Sequence, residues 1–139
     1  MSGGKFLEAL AGTRFPTPPI WLMRQAGRYL PEYRRVRERV DFLTLCRTPD
    51  LAAEVTIQPI DRFDFEAATL FSDILVPAEA LGVRFDFDPG PVLESPIRTR
   101  ADVDALRVAQ PEDAVPYVFE EIRILAGALA DRVPLIGFA

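Results

Sequence analysis

Two arginines, one aspartate and the short polar loops that carry them are the residues best placed for chemistry in this 139-residue chain. Arg24 and Arg28 bracket Gln25-Ala26-Gly27 directly after the apolar run Ile20-Trp21-Leu22-Met23, and Ser72-Asp73 directly follow the apolar run Ala67 to Phe71. A guanidinium forks onto planar carboxylates or phosphates, while a carboxylate accepts hydrogen bonds or faces a cation. From Arg24 to Arg39, six arginines stand against Glu32 and Glu38 in a chain whose net charge is −5. A basic island in an acidic protein points to a small anionic ligand and away from nucleic acid, whose binding domains are usually basic throughout. The chain has no histidine, and Cys46 is its one cysteine. An imidazole base, a catalytic triad, a His-ligated zinc, a thiolate metal cluster and an intrachain disulfide are therefore all excluded, and catalysis has to rest on Asp, Glu, Arg, Tyr or the substrate itself.

Each of these residues also has a plainer reading. Arg24 and Arg28 suit a surface turn at Gly27, and Arg34, Arg35, Arg37 and Arg39 suit a solvated helix face. Asp73 could cap a helix starting near Ala78. Trp21 and Tyr29 read as packing residues, and Cys46 as a small, inert residue where a helix meets a loop.

The elements that must position these groups follow from pattern. Apolar residues make up 49% and charged residues 27% of the chain, a globular composition for one domain. The longest apolar run, Ile124 to Ala130, falls far short of the roughly 20 residues needed to span a bilayer, and no targeting segment opens the sequence, so a cytoplasmic, membrane-free protein is expected. Ile20 to Met23, Ala67 to Phe71 and Pro134 to Ala139 read as three short buried strands. A lead-in helix is expected around Phe6 to Leu10, and another from Pro31 to about Arg39. Thr48-Pro49-Asp50 supplies the cap, N1 proline and acidic first turn of a third helix, which should kink or end near Pro59. Val83, Phe85 and Phe87 alternate with Arg84, Asp86 and Asp88 ahead of Asp88-Pro89-Gly90-Pro91, predicting a hairpin that continues into Val92-Leu93. Val118, Ile122, Leu125 and Leu129 recur at helical spacing and predict the buried face of a helix over 112–130. Strands alternating with helices favour a parallel α/β sheet, in which ligands sit at the carboxyl ends of the strands. Arg24 to Arg28, Ser72-Asp73 and Gly137-Phe138-Ala139 would then converge on one side.

The string Pro19-Ile20-Trp21-Leu22-Met23-Arg24-Gln25-Ala26-Gly27-Arg28-Tyr29-Leu30-Pro31-Glu32-Tyr33-Arg34 closely resembles the uroporphyrinogen decarboxylase signature. Leu45-Cys46 with Glu54 to Pro59, Phe71 to Leu75, and Val133 to Ala139 resemble later segments of that family in the same order. The resemblance runs from about Phe6 onward and covers only the first part of the family's chain. It implies that residues 1–139 are a single partial domain, the N-terminal part of a (β/α)8 barrel, which a partner copy or the C-terminal remainder would complete. It also implies a carboxy-lyase that needs neither metal nor organic cofactor and removes the four acetate carboxylates of uroporphyrinogen to give coproporphyrinogen. Family members form homodimers. Asp73 matches the family's catalytic aspartate, which also binds substrate. Arg24, Gln25, Ala26, Gly27 and Arg28 match its substrate-binding stretch, Arg37 a further basic contact, and Phe42 a cleft aromatic. The family's tyrosine, hydroxyl and histidine contacts fall beyond residue 139, so this chain alone is expected to be inactive or poorly active. A non-catalytic tetrapyrrole-binding or assembly module is the alternative.

Overall fold

The computed structural model describes residues 4–22 and 29–137. Its helices are α1 (Gly4–Leu10), α2 (Pro31–Arg37), α3 (Phe42–Arg47), α4 (Pro49–Phe63), α5 (Val76–Ala80), α6 (Arg100–Asp104), α7 (Pro111–Ala114) and α8 (Pro116–Leu129). The strands are β1 (Ala68–Thr69), β2 (Phe85–Phe87), β3 (Pro91–Leu93) and β4 (Leu135–Ile136).

β1 and β4 are parallel, with Ala68 opposite Leu135 and Thr69 opposite Ile136. Ala68 N–H donates to Pro134 O and Leu70 N–H to Ile136 O, each at 3.0 Å. This pair is the α/β element expected from the alternation of strands and helices, though each strand is shorter than its apolar run. β2 and β3 form the expected antiparallel hairpin, Phe85 opposite Leu93. Helices α4 and α8 pack together over the parallel pair, and Ala53, Ile60, Ala68, Leu70, Leu125 and Leu129 make the main core. A second core, Leu30, Tyr33, Val36, Leu45 and Val55, joins α2 and α3 to the other side of α4.

Five expectations need correction. Ile20 to Leu22 form no strand, because the Ile20 N–H is taken by the Glu66 carboxylate at 2.8 Å and not by a ladder carbonyl. Trp21 and Tyr29 are exposed instead of packed. Of the two outcomes expected at Pro59, a kink or an end, the end does not occur: the helix runs on to Phe63, with Pro59 and Ile60 both buried, so core contacts outweigh the helical N–H that the proline lacks. It stops at Asp64, which takes the left-handed conformation at φ 54°. The proline-led start at Pro49 with Thr48 at the N-cap position is as expected, but the Thr48 side chain makes no cap bond, since its hydroxyl donates to Thr44 O at 2.7 Å.

The fifth correction concerns α8. Leu125 and Leu129 are buried and Val118 half-buried, but Ile122 is 38% exposed while Glu121 is 1% exposed. The buried stripe therefore runs 118, 121, 125, 129. Spacings of three and four are equally helical, so the geometry accepts Glu121 where hydropathy favours Ile122.

Glu66 ties the N-terminal segment to β1, accepting from Lys5 Nζ as well as from Ile20 N–H, both at 2.8 Å. The Lys5 ammonium first and the Ile20 N–H second hold its carboxyl below the ordinary value of 4.5. A lowered pKa in the folded state contributes stability above the ordinary value and loses it as pH falls through the folded value. The Ile20 amide resonance should thus hold steady from neutral pH to about 5 and shift under more acid conditions, and Glu66→Gln should abolish that shift. Leu125→Ala should lower stability by about 2–5 kcal/mol in urea unfolding. Ile122→Ala should stay within about 1 kcal/mol of the parent, and equal losses would refute the rotated stripe.

Candidate functional site

Arg24, Gln25, Ala26, Gly27 and Arg28 lie outside the described residues, but the residues on either side of them are placed. Ile20 is held at Glu66, two residues ahead of β1. Leu30, 1% exposed, sits in the second core, against which Phe71 packs just past the other end of β1. The residues flanking the arginine stretch are thus tied to both ends of one strand.

Asp73 lies half-buried where the chain leaves β1 and before it enters α5. Its Oδ1 accepts from Leu75 N–H at 2.8 Å and its carbonyl oxygen from Val76 N–H at 3.2 Å. The carboxylate thus fixes its own turn rather than capping a helix near Ala78, and α5 begins at Val76 with no side-chain cap. Ionised, it has about four lone-pair positions, so one backbone bond leaves capacity for further donors. Gly137 follows β4 as Ser72-Asp73 follow β1, and the parallel pairing puts both at the same end.

Phe42, at the start of α3, stands edge-on to Phe71 at 6.1 Å and to Phe87 at 5.0 Å. Tyr33 meets Phe71 at 6.1 Å and Phe85 meets Phe87 at 6.1 Å, which extends an aromatic ridge from α2 through the end of β1 to the hairpin. Asp41 sets the start of α3 by accepting from Thr44 Oγ1 and N–H, and those two bonds hold its carboxyl below the ordinary range. Arg37 is half-buried and donates from Nη1 to Val40 O, and is more constrained than a solvated helix face would make it. Cys46 is buried on α3, and burial first, then the Asp73 charge, push its thiol up to about 12, which suits the inert role expected of it.

A concavity of about 930 Å³ lies elsewhere, lined in part by Arg47, Glu79, Arg84, Glu94 and Arg107. Its charges are already partnered in part: Arg47 pairs with Glu79 at 3.1 Å, and Tyr117 Oη donates to the same carboxylate at 3.0 Å. None of Arg37, Phe42 or Asp73 lines it.

The pattern of the sequence did not single out Thr56 and Glu121, which meet beneath the end of β1. Thr56 Oγ1 accepts from Phe71 N–H at 3.1 Å and donates to Ala52 O at 2.9 Å. Burial pushes the Glu121 carboxyl up to about 8, a rise that the Phe71 N–H and the Thr56 hydroxyl reduce. No group of three or more metal-ligating side chains occurs among the described residues, and no helix among them is long and apolar enough to cross a membrane.

The family model for uroporphyrinogen decarboxylase matches residues 1–139. Proteins named uroporphyrinogen decarboxylase from Syntrophotalea carbinolica and Geobacter sulfurreducens are 61% and 60% identical over 133 and 134 residues. In each case the match takes in 96% of this chain and 39% of the relative, so the chain spans about two-fifths of their length. Among solved structures, a methyltransferase from Methanosarcina mazei superposes with a TM-score of 0.71 at 20% identity, over 96% of this chain and 40% of that one. That likeness carries the fold alone, part of a (β/α)8 barrel. With the family model matched along its whole length and these relatives at about 60% identity, the chain belongs to the uroporphyrinogen decarboxylase family.

Proposed function

We propose that this chain supplies the arginine stretch and the aspartate of a site that decarboxylates uroporphyrinogen, turning its four acetate side chains into methyl groups and giving coproporphyrinogen for haem and other tetrapyrroles. The observation that carries this reading is the placement of Asp73. It is half-buried at the carboxyl end of β1, oriented by the Leu75 N–H and adjoined by the aromatic ridge through Phe71. The family of the chain and the names of its relatives supply the substrate.

The substrate is a flexible macrocycle with carboxylates around its rim and pyrrole N–H groups near its centre. Arg24 and Arg28, with Gln25, Ala26 and Gly27 shaping the backbone between them, bind rim carboxylates, and Arg37 adds a third guanidinium. Phe42 offers an apolar surface to the ring. Asp73 accepts from the pyrrole N–H groups. Protonation of a pyrrole carbon makes the ring cationic, and the carbon–carbon bond to the carboxylate then breaks. CO2 leaves, its bonding electrons enter the pyrrole, and a second proton on the exocyclic carbon completes the methyl group as the ring proton is released. Fixed in a partly desolvated position, Asp73 stabilises the cation without having to reorganise. The reading requires no metal or organic cofactor.

Residues 1–139 form one partial domain in this reading, and the remaining wall of the cleft comes from the rest of a barrel or from a second copy in a homodimer. The reaction takes place in the cytoplasm, with neither nucleic acid nor membrane as partner. The share of its relatives that the chain spans favours one further reading, a tetrapyrrole-binding module without catalysis.

An anaerobic assay with reduced uroporphyrinogen, run on the chain alone and mixed with a matching C-terminal fragment, separates the two. Turnover is expected on mixing, and Asp73→Asn should reduce it by on the order of 10²- to 10³-fold, the scale of losing one preorganised electrostatic contact. Porphyrinogen binding without turnover in any mixture would transfer the assignment to the binding module.

A further inference from the structure

Glu121 occupies a core position on α8 where an apolar side chain would be cheaper, and it has been given no role so far. It is 1% exposed, and its Oε1 has no hydrogen-bond partner. A carboxyl so placed is costly to bury without partners. It faces the Phe71 N–H and the Thr56 hydroxyl. Phe71 lies two residues ahead of Asp73, its ring contacts Tyr33 and Phe42, and its N–H is already bonded to Thr56. One peptide group therefore links the helix pair α4 and α8, the aromatic ridge and the turn that carries Asp73.

We propose that Glu121 is a positioning residue: from behind the strand, together with Thr56, it holds the Phe71 peptide and thereby sets the orientation of Asp73 toward a bound macrocycle. The second half of this statement rests on Asp73 being the carboxylate of the site; the hold on Phe71 does not.

The proton inventory makes the arrangement two-state. The single hydroxyl proton of Thr56 goes to Ala52 O, and one lone pair of its oxygen takes the Phe71 N–H. The remaining lone pair can accept from a protonated Glu121, so the carboxyl, the hydroxyl and the peptide lock together when Glu121 is neutral. Ionised Glu121 offers no proton. The Thr56 hydroxyl must then turn from Ala52 O toward the carboxylate, and the Phe71 N–H is drawn the same way. Beside the permanent charge of Arg47, the neighbouring α3 carries Cys46, which feels the charges of Asp73 and Glu121 in one sense and those of Arg37 and Arg47 in the other. The Cys46 thiol is pushed up to about 12 and stays neutral over the range in which Glu121 changes charge at about 8. Cys46 therefore adds no charge change of its own over that range.

The test is an NMR titration of the isotope-labelled chain from pH 5 to 9.5, following the Glu121 carboxyl carbon and the Phe71, Ser72 and Asp73 amides. The carboxyl is expected to titrate with a midpoint of about 8, with the three amides moving at the same midpoint. Glu121→Gln, neutral at every pH and still able to donate to Thr56 and accept from Phe71, should hold the amides at their low-pH positions throughout. Thr56→Val gives a second route that leaves Glu121 in place: loss of the hydroxyl should displace the Phe71 amide, and Thr56→Ser should restore it. Amides that ignore the Glu121 titration, or that still shift near pH 8 in Glu121→Gln, would overturn the proposal. The same samples mixed with the matching C-terminal fragment and titrated with uroporphyrin, the stable oxidised form of the ring, should bind more weakly at pH 9 than at pH 6.5, and equally at both in Glu121→Gln. Coupled amide shifts with no uroporphyrin binding would retain the hold on Phe71 and remove the decarboxylase reading. Binding without coupled shifts would do the reverse.

Discussion

The structure depends on the packing of α4 against α8 across the parallel pair β1 and β4. Two strands of two residues each cannot hold a register by hydrogen bonds alone, and a parallel pair lacks the local turn that would close it. Burial of Leu125, Leu129, Ile60 and Ala53 against Ala68 and Leu70 supplies the constraint instead. The described residues that support the site are placed relative to that contact. Asp73 leaves the end of β1, Thr56 rises from α4, Glu121 descends from α8, and Ile20 reaches β1 through Glu66.

Much of this was legible in the residues, and the exceptions share a cause. The hairpin was readable because alternation and turn chemistry are local, and the Pro49 start of α4 because proline and an acidic first turn act within a few residues. The readings that failed were decided by contacts distant in sequence. A strand at Ile20 needs a neighbour to bond, and Glu66, 46 positions away, takes that N–H with a side chain. Pro59 stops a helix in solution but not one whose next residue is locked in a core. Hydropathy favours Ile122 over Glu121 at adjacent positions, and only the direction in which α8 meets α4 decides which turns inward.

The site divides in the same way. The stretch Arg24 to Arg28 and Asp73 are recognisable from type and order, because polar loops that directly follow apolar runs are visible in a string of letters. The supports of Asp73 are not. Thr56 looks like an ordinary helical threonine and Glu121 like one of many surface glutamates. Their meeting beneath Phe71 requires both helices in position and the strand end between them.

The register of the parallel pair has a consequence for how the protein is made. Ala68 finds its partner only in Leu135, 67 residues later. At synthesis rates of 5–20 residues per second, roughly 3–13 s separate the emergence of β1 from that of the strand that pairs with it. Throughout that interval Ala68 and Leu70, which end almost wholly buried, have no backbone partner in β4 and no α8 to cover them. The nascent chain is thus most vulnerable to association during synthesis between β1 and β4, and the hairpin and short helices between them act as a delay as much as a connection.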